Sequence, residues 1–126
     1  MYLSHISITI PPGGERAARD FYVKLLGLRE IPADSVIRAG LCLDAGGLEL
    51  HLTVDDRPIP TDKEAHLGLG CGDIEGLKAR LLAAGAPVEN PSTPARKFFT
   101  RDPFGNNLEI HIPGNFETSD PNSATR

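Results

Sequence analysis

The first stretch of the chain, YLSHISITI at residues 2–10, alternates apolar and polar side chains with a period of two. Ile6, Ile8 and Ile10 share one face, and His5, with the two hydroxyl residues that follow it, lies on the other. This period predicts a β-strand with one apolar and one polar face. The break PPGG ends the strand.

The pattern changes to a period near four in ERAARDFYVKLL, residues 15–26. Ala17, Phe21 and Leu25 recur four positions apart, with Ala18 and Tyr22 beside them, as on the apolar stripe of an amphipathic helix. Gly27 can end this helix in a left-handed conformation. Three extended segments are predicted to follow, the last two joined as a hairpin across Ala45-Gly46: residues 28–31, 36–44 and 47–54.

The same order of elements then begins again. A strand is predicted at residues 65–71. Asp73 is a good N-cap for a following helix, and Ile74, Leu77 and Leu81 mark the buried stripe of that helix. A glycine ends the second helix, as one ended the first.

The last predicted hairpin joins RKFFTRD to NNLEIHIP through the turn DPFG, with proline at its second position and glycine at its fourth. The loop before this hairpin contains a short strand at best. The chain is thus two copies of β-α-β-β-β, at residues 1–58 and 59–114, which together form one domain. One copy of this size would bury little core alone, so the two are expected to pair. Residues 115–126 are predicted to be a polar, flexible tail.

Both copies close on an apolar-Glu-apolar-His-apolar strand, LELHL and LEIHI. His5 lies 44 positions before Glu49 (49 − 5), and His66 lies 43 positions before Glu109 (109 − 66). All four side chains fall opposite the apolar residues of their own strands. Two imidazoles and two carboxylates at repeated positions form a ligand set for a borderline divalent ion such as Zn, Ni, Fe, Mn or Co.

Composition narrows the classes of function. The chain has 126 residues, of which 40% are hydrophobic and 24% charged, as in a soluble globular domain. A net charge of −4 gives no support to nucleic-acid binding, and no apolar run is long enough to cross a bilayer. Cys42 and Cys71 lack CxxC spacing and are predicted to be buried thiols outside any disulfide. With no signal peptide recognised, these features predict a cytoplasmic protein.

Four segments resemble the vicinal oxygen chelate superfamily, which includes glyoxalase I, extradiol dioxygenases and bleomycin-resistance proteins: SHISITI, ARDFYVKLLGL, AHLGLGC and RDPFGNNLEI. The resemblance spans about residues 2–113. It implies an α+β fold in which two βαβββ modules form an open barrel around a metal ion. In small members two chains pair their modules across a homodimer, so that His5 of one chain would meet His66 and Glu109 of the other.

The resemblance also implies metal ligands. His5, His66 and Glu109 match the two-histidine, one-carboxylate core of the superfamily. Glu49 matches the fourth ligand of glyoxalase I by the internal repeat. His51 competes with Glu49 for this position, because it lies two residues further along the same strand face.

Further residues are candidates for binding a small-molecule substrate. Ser7 matches a hydroxyl residue that stands beside the first ligand in related enzymes. Phe98 and Phe99 alternate across a strand, so that one belongs to the core and Phe99 could form a wall of the cavity. His51, if it is not a ligand, and its repeat mate His111 are expected to line the cavity.

Three functions are compatible with this resemblance. The first is a divalent-metal-dependent lyase or isomerase that acts on a small α-oxo or α-hydroxy carbonyl compound, with Glu109 or Glu49 as catalytic base. The second is an extradiol-type dioxygenase, for which the chain is short. The third is a non-catalytic binding protein of the bleomycin-resistance type, which the acidic charge permits. The complete set of His and Glu residues favours the first function, since metal-free binders of this fold usually lack those side chains.

Overall fold

The structure is a computed structural model that describes residues 1–32, 40–59, 64–92 and 94–114. Residues 36–39, at the start of the predicted hairpin, and the predicted tail lie outside these ranges. The chain divides into two compact units, one of Met1–Thr61 with Asp102–Asn106 and one of Asp62–Arg101 with Asn107–Arg126.

Within its described residues, the first unit contains four strands and one helix. The sheet has the order β1-β4-β3-β2, in which β1 and β4 run parallel and the other neighbours run antiparallel. The helix begins as an α-helix and continues in a π-helical conformation. The elements are β1 His5–Ile10, α1 Glu15–Ala18 with its π-helical continuation Arg19–Leu25, β2 Arg29–Ile31, β3 Gly40–Asp44 and β4 Glu49–Val54.

The predicted buried face of this helix is confirmed in its centre and differs at its ends. The structure buries Phe21 of the predicted stripe and both residues predicted beside it, Ala18 and Tyr22, whereas it leaves Ala17 and Leu25 partly exposed. Each π turn takes in one more residue than an α turn, so the stripe shifts along the chain. Gly27, at φ 82°, ends the helix as predicted.

The connection between β3 and β4 is longer than predicted. The predicted hairpin is confirmed, and its connection starts at Ala45 as predicted but includes two more residues, with positive φ values at Gly46 (76°) and Gly47 (118°). A two-residue turn at the predicted place would require Ala45 to take a conformation that glycine adopts far more readily. The connection therefore covers residues 45–48, and Asp44 is paired with Glu49.

Alternation along β3 and β4 separates a core face from a polar face. The leucines of the core face are each at most 2% exposed: Leu41, Leu43, Leu50 and Leu52. Burying one such side chain contributes about 1.5–3 kcal/mol. The residues between them point to the opposite side of the sheet. These are Cys42 on β3 and the pair Glu49 and His51 on β4.

The buried Asp102 carboxylate accepts the hydrogen bonds that hold the turn Asp102–Asn106, which belongs to the first unit. It accepts hydrogen bonds from the Tyr22 hydroxyl (2.7 Å) and from the backbone N–H groups of Phe104 (2.9 Å) and Asn106 (2.8 Å). The Asn106 amide also donates to the Thr9 carbonyl, at 3.0 Å. Burial, and next the charge of Asp102, raise the pKa of Tyr22 well above its ordinary value.

The second unit has a sheet of order β5-β7-β6, with β5 parallel to β7 and β6 antiparallel to it. Its helix is capped as predicted, because the Asp73 carboxylate accepts the backbone N–H of Gly76 at 3.0 Å. The loop before the last hairpin was predicted to contain a short strand at best, and it contains an isolated bridge between Glu89 and Phe99. The elements are β5 His66–Gly70, α2 Ile74–Ala83, β6 Lys97–Arg101 and β7 Asn107–His111.

The combination of two small mixed sheets with few helices confirms the predicted α+β class. In the part of the chain that the structure describes, no helix has the length and apolar character needed to span a membrane.

Candidate functional site

The polar face of the first sheet brings together chemically active side chains from three adjacent strands. β4 lies between β1 and β3, and its residues Glu49 and His51 share one face. His5 on β1 is the register partner of Glu49, and Cys42 on β3 is the register partner of His51. The parallel pairing on one side and the antiparallel pairing on the other therefore place four potential metal ligands side by side.

The contacts within this group centre on the Glu49 carboxylate. Its Oε1 atom lies 2.9 Å from His51 Nε2 and 3.2 Å from Cys42 Sγ, whose thiol donates to it. The imidazoles of His5 and His51 stack with their centroids 4.4 Å apart and 12° between their planes. The hydrogen bond from His51, and then that from Cys42, lower the pKa of Glu49. This carboxylate is therefore held in its ionised form.

The competition predicted between Glu49 and His51 takes a different form in the structure. The two side chains are hydrogen-bonded to each other, so both are at the same place on β4. One ligand atom from each, together with Cys42 Sγ, lies within 4.8 Å of the others. A choice between the two residues is therefore unnecessary, because the geometry allows both to contact one ion.

Hydroxyl groups surround His5 and Ser7 on β1. The Ser4 hydroxyl lies 3.0 Å from His5 Nδ1, a contact that orients the ring and directs Nε2 away from the serine. Ser7, predicted to bind substrate, pairs its hydroxyl with that of Thr53 at 2.7 Å. Ser7 is exposed on the same strand face as His5.

The second unit has a His–Glu pair of its own. His66 Nε2 lies 3.2 Å from Glu109 Oε2, and Lys97 Nζ lies 3.7 Å from Glu109 Oε1. Phe99 is the register partner of Glu109, its ring meets that of His66 edge-on at 5.5 Å, and Lys97 Nζ lies 5.8 Å from the ring centroid. Glu109 is thus flanked by an imidazole, an ammonium group and an aromatic ring.

His111 occupies the space left by two glycines. Its Nδ1–H donates to the carbonyl of Ile112 at 2.9 Å. A methyl group built on Gly68 would lie 3.7 Å from His111 Nε2, and one on Gly70 would lie 3.9 Å from Cε1. The imidazole therefore covers both glycines on the face that carries Glu109.

Cys42 was missed as a site residue. It was predicted to be a buried thiol outside any disulfide; it is buried, and neither cysteine forms a disulfide. Its sequence position, however, also places it on the polar face, because it alternates with Leu41 and Leu43. Pairing the two strands of the hairpin would have shown that this face is the one that carries Glu49 and His51.

Taken together, the two sheets and their His–Glu pairs define a small α+β protein of the vicinal oxygen chelate type. The chain belongs to the family of the glyoxalase-like domain, whose model matches residues 8–111. This match covers both units and all the predicted ligands except His5.

Solved structures agree with this assignment. A candidate glyoxalase-family protein from Bacillus anthracis is 30% identical, with a TM-score of 0.74 over 87% of this chain and 93% of that one. A candidate glyoxalase from Bacillus cereus is 26% identical, with a TM-score of 0.70 over 89% and 99% of the two chains. TnmS3, an antibiotic-binding protein from Streptomyces sp. CB03234, shares the fold at 24% identity and a TM-score of 0.67 over 90% and 97%. No curated protein matches the sequence.

Proposed function

We propose that this protein is a divalent-metal-dependent enzyme of the glyoxalase type, a lyase or isomerase for a small α-oxo or α-hydroxy carbonyl compound. The observation that carries the proposal is that the predicted carboxylate of each unit contacts an imidazole, from the same strand in the first unit and from the neighbouring strand in the second. His51 lies 2.9 Å from Glu49 in one unit, and His66 lies 3.2 Å from Glu109 in the other. A polar face that served only to meet solvent would not require this pairing in both copies.

The donor atoms fit a borderline divalent ion. Imidazole nitrogen and carboxylate oxygen suit Zn, Ni, Fe, Mn and Co, whereas an all-oxygen set would suit Mg or Ca. We assign His5, Glu49, His66 and Glu109 as the residues that would hold the ion, with His51 as the further donor beside Glu49. When bound, such an ion supplies Lewis acidity toward a substrate carbonyl or hydroxyl oxygen.

Of the two carboxylates, Glu109 is the better candidate for the catalytic base. The hydrogen bonds from His51 and Cys42 lower the pKa of Glu49, which makes its carboxylate a weaker proton acceptor. Glu109 is only 18% exposed and lies beside the Phe99 ring, which can exclude water from a bound substrate. In this proposal Glu109 takes a proton from the carbon next to the substrate carbonyl and returns it to the neighbouring position.

Lys97 has a supporting part in the same proposal. Its ammonium group lies 3.7 Å from Glu109 Oε1 and also faces the Phe99 ring. A cation at this place attracts an anionic substrate toward the base. Ser7 and His111 would complete the polar lining, as the sequence suggested.

A second candidate is a protein that binds a small molecule without converting it. It is supported by the antibiotic-binding protein TnmS3 among the similar folds and by the net charge of −4, which suits a basic ligand. An extradiol-type dioxygenase is a third candidate, because two imidazoles and one carboxylate also suit iron in such enzymes.

Metal content separates the first candidate from the second. Purified protein exposed in turn to Zn, Ni, Mn and Fe should retain one of these ions after gel filtration, and His66→Ala or Glu109→Ala should lower the retained amount. Glu75→Ala, on an exposed position of α2, is the matched control and should bind metal normally. Protein that stays metal-free under all four conditions would overturn the enzyme proposal.

Substrate assays and oligomeric state complete the test. The metal-loaded protein should convert a hemithioacetal, whereas cleavage of a catechol with uptake of oxygen would replace the proposal by a dioxygenase. The proposal includes a homodimer, as the resemblance implies. Light scattering over a range of concentrations should give twice the monomer mass of 13.5 kDa.

A further inference from the structure

The sheet of the first unit contains a thiol that the proposed catalytic set does not use. Cys42 lies in the middle of β3 and is 2% exposed, yet its side chain is on the polar face of the sheet. Leu41 and Leu43 on either side of it supply the core packing, so the thiol is not needed there. It instead donates to the Glu49 carboxylate at 3.2 Å.

We propose that Cys42, Glu49 and His51 form a three-donor site for a thiophilic divalent ion such as Zn²⁺, complete within the first unit. The proposal shares Glu49 with the proposed function, and rests on it to that extent. It requires neither His66 nor Glu109. Its new element is the Cys42 thiolate, which would favour thiophilic ions over ions that prefer oxygen ligands.

The distances favour this assignment. The thiol sulfur, a carboxylate oxygen and an imidazole nitrogen lie within 4.8 Å of one another, and Glu49 Oε1 is 2.9 Å from the nitrogen and 3.2 Å from the sulfur. Around a tetrahedral zinc ion with ordinary bond lengths, the same pairs of atoms would be about 3.3–3.6 Å apart. Glu49 Oε1 would need to move away from each of the other two donors by only about 0.4 Å to reach these separations.

The strands hold the three donors in place. Cys42 and His51 are cross-strand partners in an antiparallel pair, and Glu49 is two residues before His51 on the same face. The His5 ring stacks against His51 and restrains its orientation. Sites built on paired strands keep their geometry better than sites built on loops.

Binding exchanges protons for the metal ion. The Cys42 thiol loses its proton to solvent, a Zn–S bond forms with the resulting thiolate, and no oxidation or reduction takes place. Three protein ligands leave a fourth position for water or for an oxygen of a substrate, as in zinc sites that carry out chemistry. Thiolate ligation favours Zn²⁺ over Mn²⁺ and Mg²⁺, which prefer oxygen.

Cobalt substitution tests the site without depending on activity. Titration of the full chain with Co²⁺ should produce a thiolate-to-cobalt charge-transfer band in the near ultraviolet, with saturation at one ion per chain. Cys42→Ser should abolish the band. Cys71→Ser is the matched control, since Cys71 is a half-buried cysteine of the second unit, and it should keep the band. A missing band in the wild type, a band that survives Cys42→Ser, or one lost in Cys71→Ser would overturn the proposal.

Two further variants separate this proposal from the proposed function. Glu109→Ala should lose turnover and hold the ion less tightly, yet it should give the full cobalt band once Co²⁺ is saturating. Loss of the band at saturation would show that the three donors do not hold an ion alone. His51→Gln should weaken Co²⁺ binding by about 10–100-fold or more, since this is the loss found when even an outer partner of a ligand is removed. Unchanged affinity in His51→Gln would remove the imidazole from the site.

The wild-type protein offers a measurement that needs no variant. X-ray absorption at the zinc edge should show one sulfur neighbour at about 2.3 Å. A shell of nitrogen and oxygen alone would overturn the proposal, even if Cys42→Ser failed to fold.

Discussion

The Tyr22 hydroxyl and the Asp102 carboxylate, 80 positions apart in the chain, are joined by a hydrogen bond of 2.7 Å inside the first unit. The bond connects the π-helical segment to the turn between β6 and β7. Tyr22 is fully buried and Asp102 is 5% exposed, so neither group can exchange this contact for water without a local opening. This relationship leads to two predictions about stability.

Replacing Tyr22 by phenylalanine removes the hydroxyl and keeps the ring. We expect the free energy of unfolding to fall by about 1.5–3 kcal/mol, the range for hydrogen bonds to charged groups, because the buried carboxylate loses one of its donors. Urea denaturation followed by circular dichroism gives the value. Tyr2→Phe, at a side chain that is 86% exposed, is the control and should change little.

The same tyrosine should make the protein sensitive to alkali. Burial raises the pKa of Tyr22 above the ordinary tyrosine value of about 10, so the folded chain keeps the phenol proton where the unfolded chain releases it. The stabilisation is complete below pH 10 and is lost as the pH rises above it, by at most about 1.4 kcal/mol per pH unit. The free energy of unfolding, measured by urea denaturation between pH 8 and about 11, should therefore change less with pH in Tyr22→Phe than in the wild type. An equal dependence on pH in the two proteins would contradict the explanation.

The cap of α2 provides a test in the second unit. Asp73→Ala removes the acceptor for the Gly76 N–H and should lower the free energy of unfolding by about 1 kcal/mol. Asp73→Asn keeps an oxygen at the cap and should recover most of this loss. Glu75→Ala removes a charge from the same first turn without touching the cap. It therefore separates the contribution of the negative charge from that of the capping hydrogen bond. Equal losses in the alanine and asparagine variants would assign the effect to charge.

The two carboxylates should respond differently to loss of charge. Glu109→Gln is expected to lower kcat by about 10²–10⁴-fold, the usual contribution of a positioned base, and to retain the fold. Glu49→Gln should mainly weaken metal binding, with kcat recovering when metal is added in excess. Kinetics at saturating metal, with metal content measured alongside, distinguish the two variants. The opposite pattern would exchange the roles of Glu49 and Glu109.

Strand periodicity predicted much of the fold because strands such as β4 and β6 bury one face and leave the other more exposed. The alternation in β1 and β4 identified the polar side chains correctly, and the Asp73 cap was recognised from its place before an apolar stripe. The sequence pattern could not reveal the π-helical segment. A π-helix differs from an α-helix in that each N–H bonds to the carbonyl one residue further back along the chain.

The candidate site was predicted only in part, because register is a property of two strands. The neighbours of Glu49 on β4 follow from the sequence, but Cys42 belongs to β3 and is brought beside it by the turn at Gly46 and Gly47. A thiol between two leucines resembles a core residue when each strand is considered alone. The imidazole of His111 over Gly68 likewise depends on the pairing of β5 with β7.

The repeat in the sequence and the division of the folded chain do not end at the same places. Residues Asp102–Asn106 lie within the second copy of the repeat, yet they belong to the first unit and supply the acceptor for Tyr22. A gene fragment that stops at Thr61 would thus encode a first module without this acceptor. The first copy therefore could not be exchanged for a relative's as a simple cassette, because its buried tyrosine would lose the acceptor that the second copy encodes.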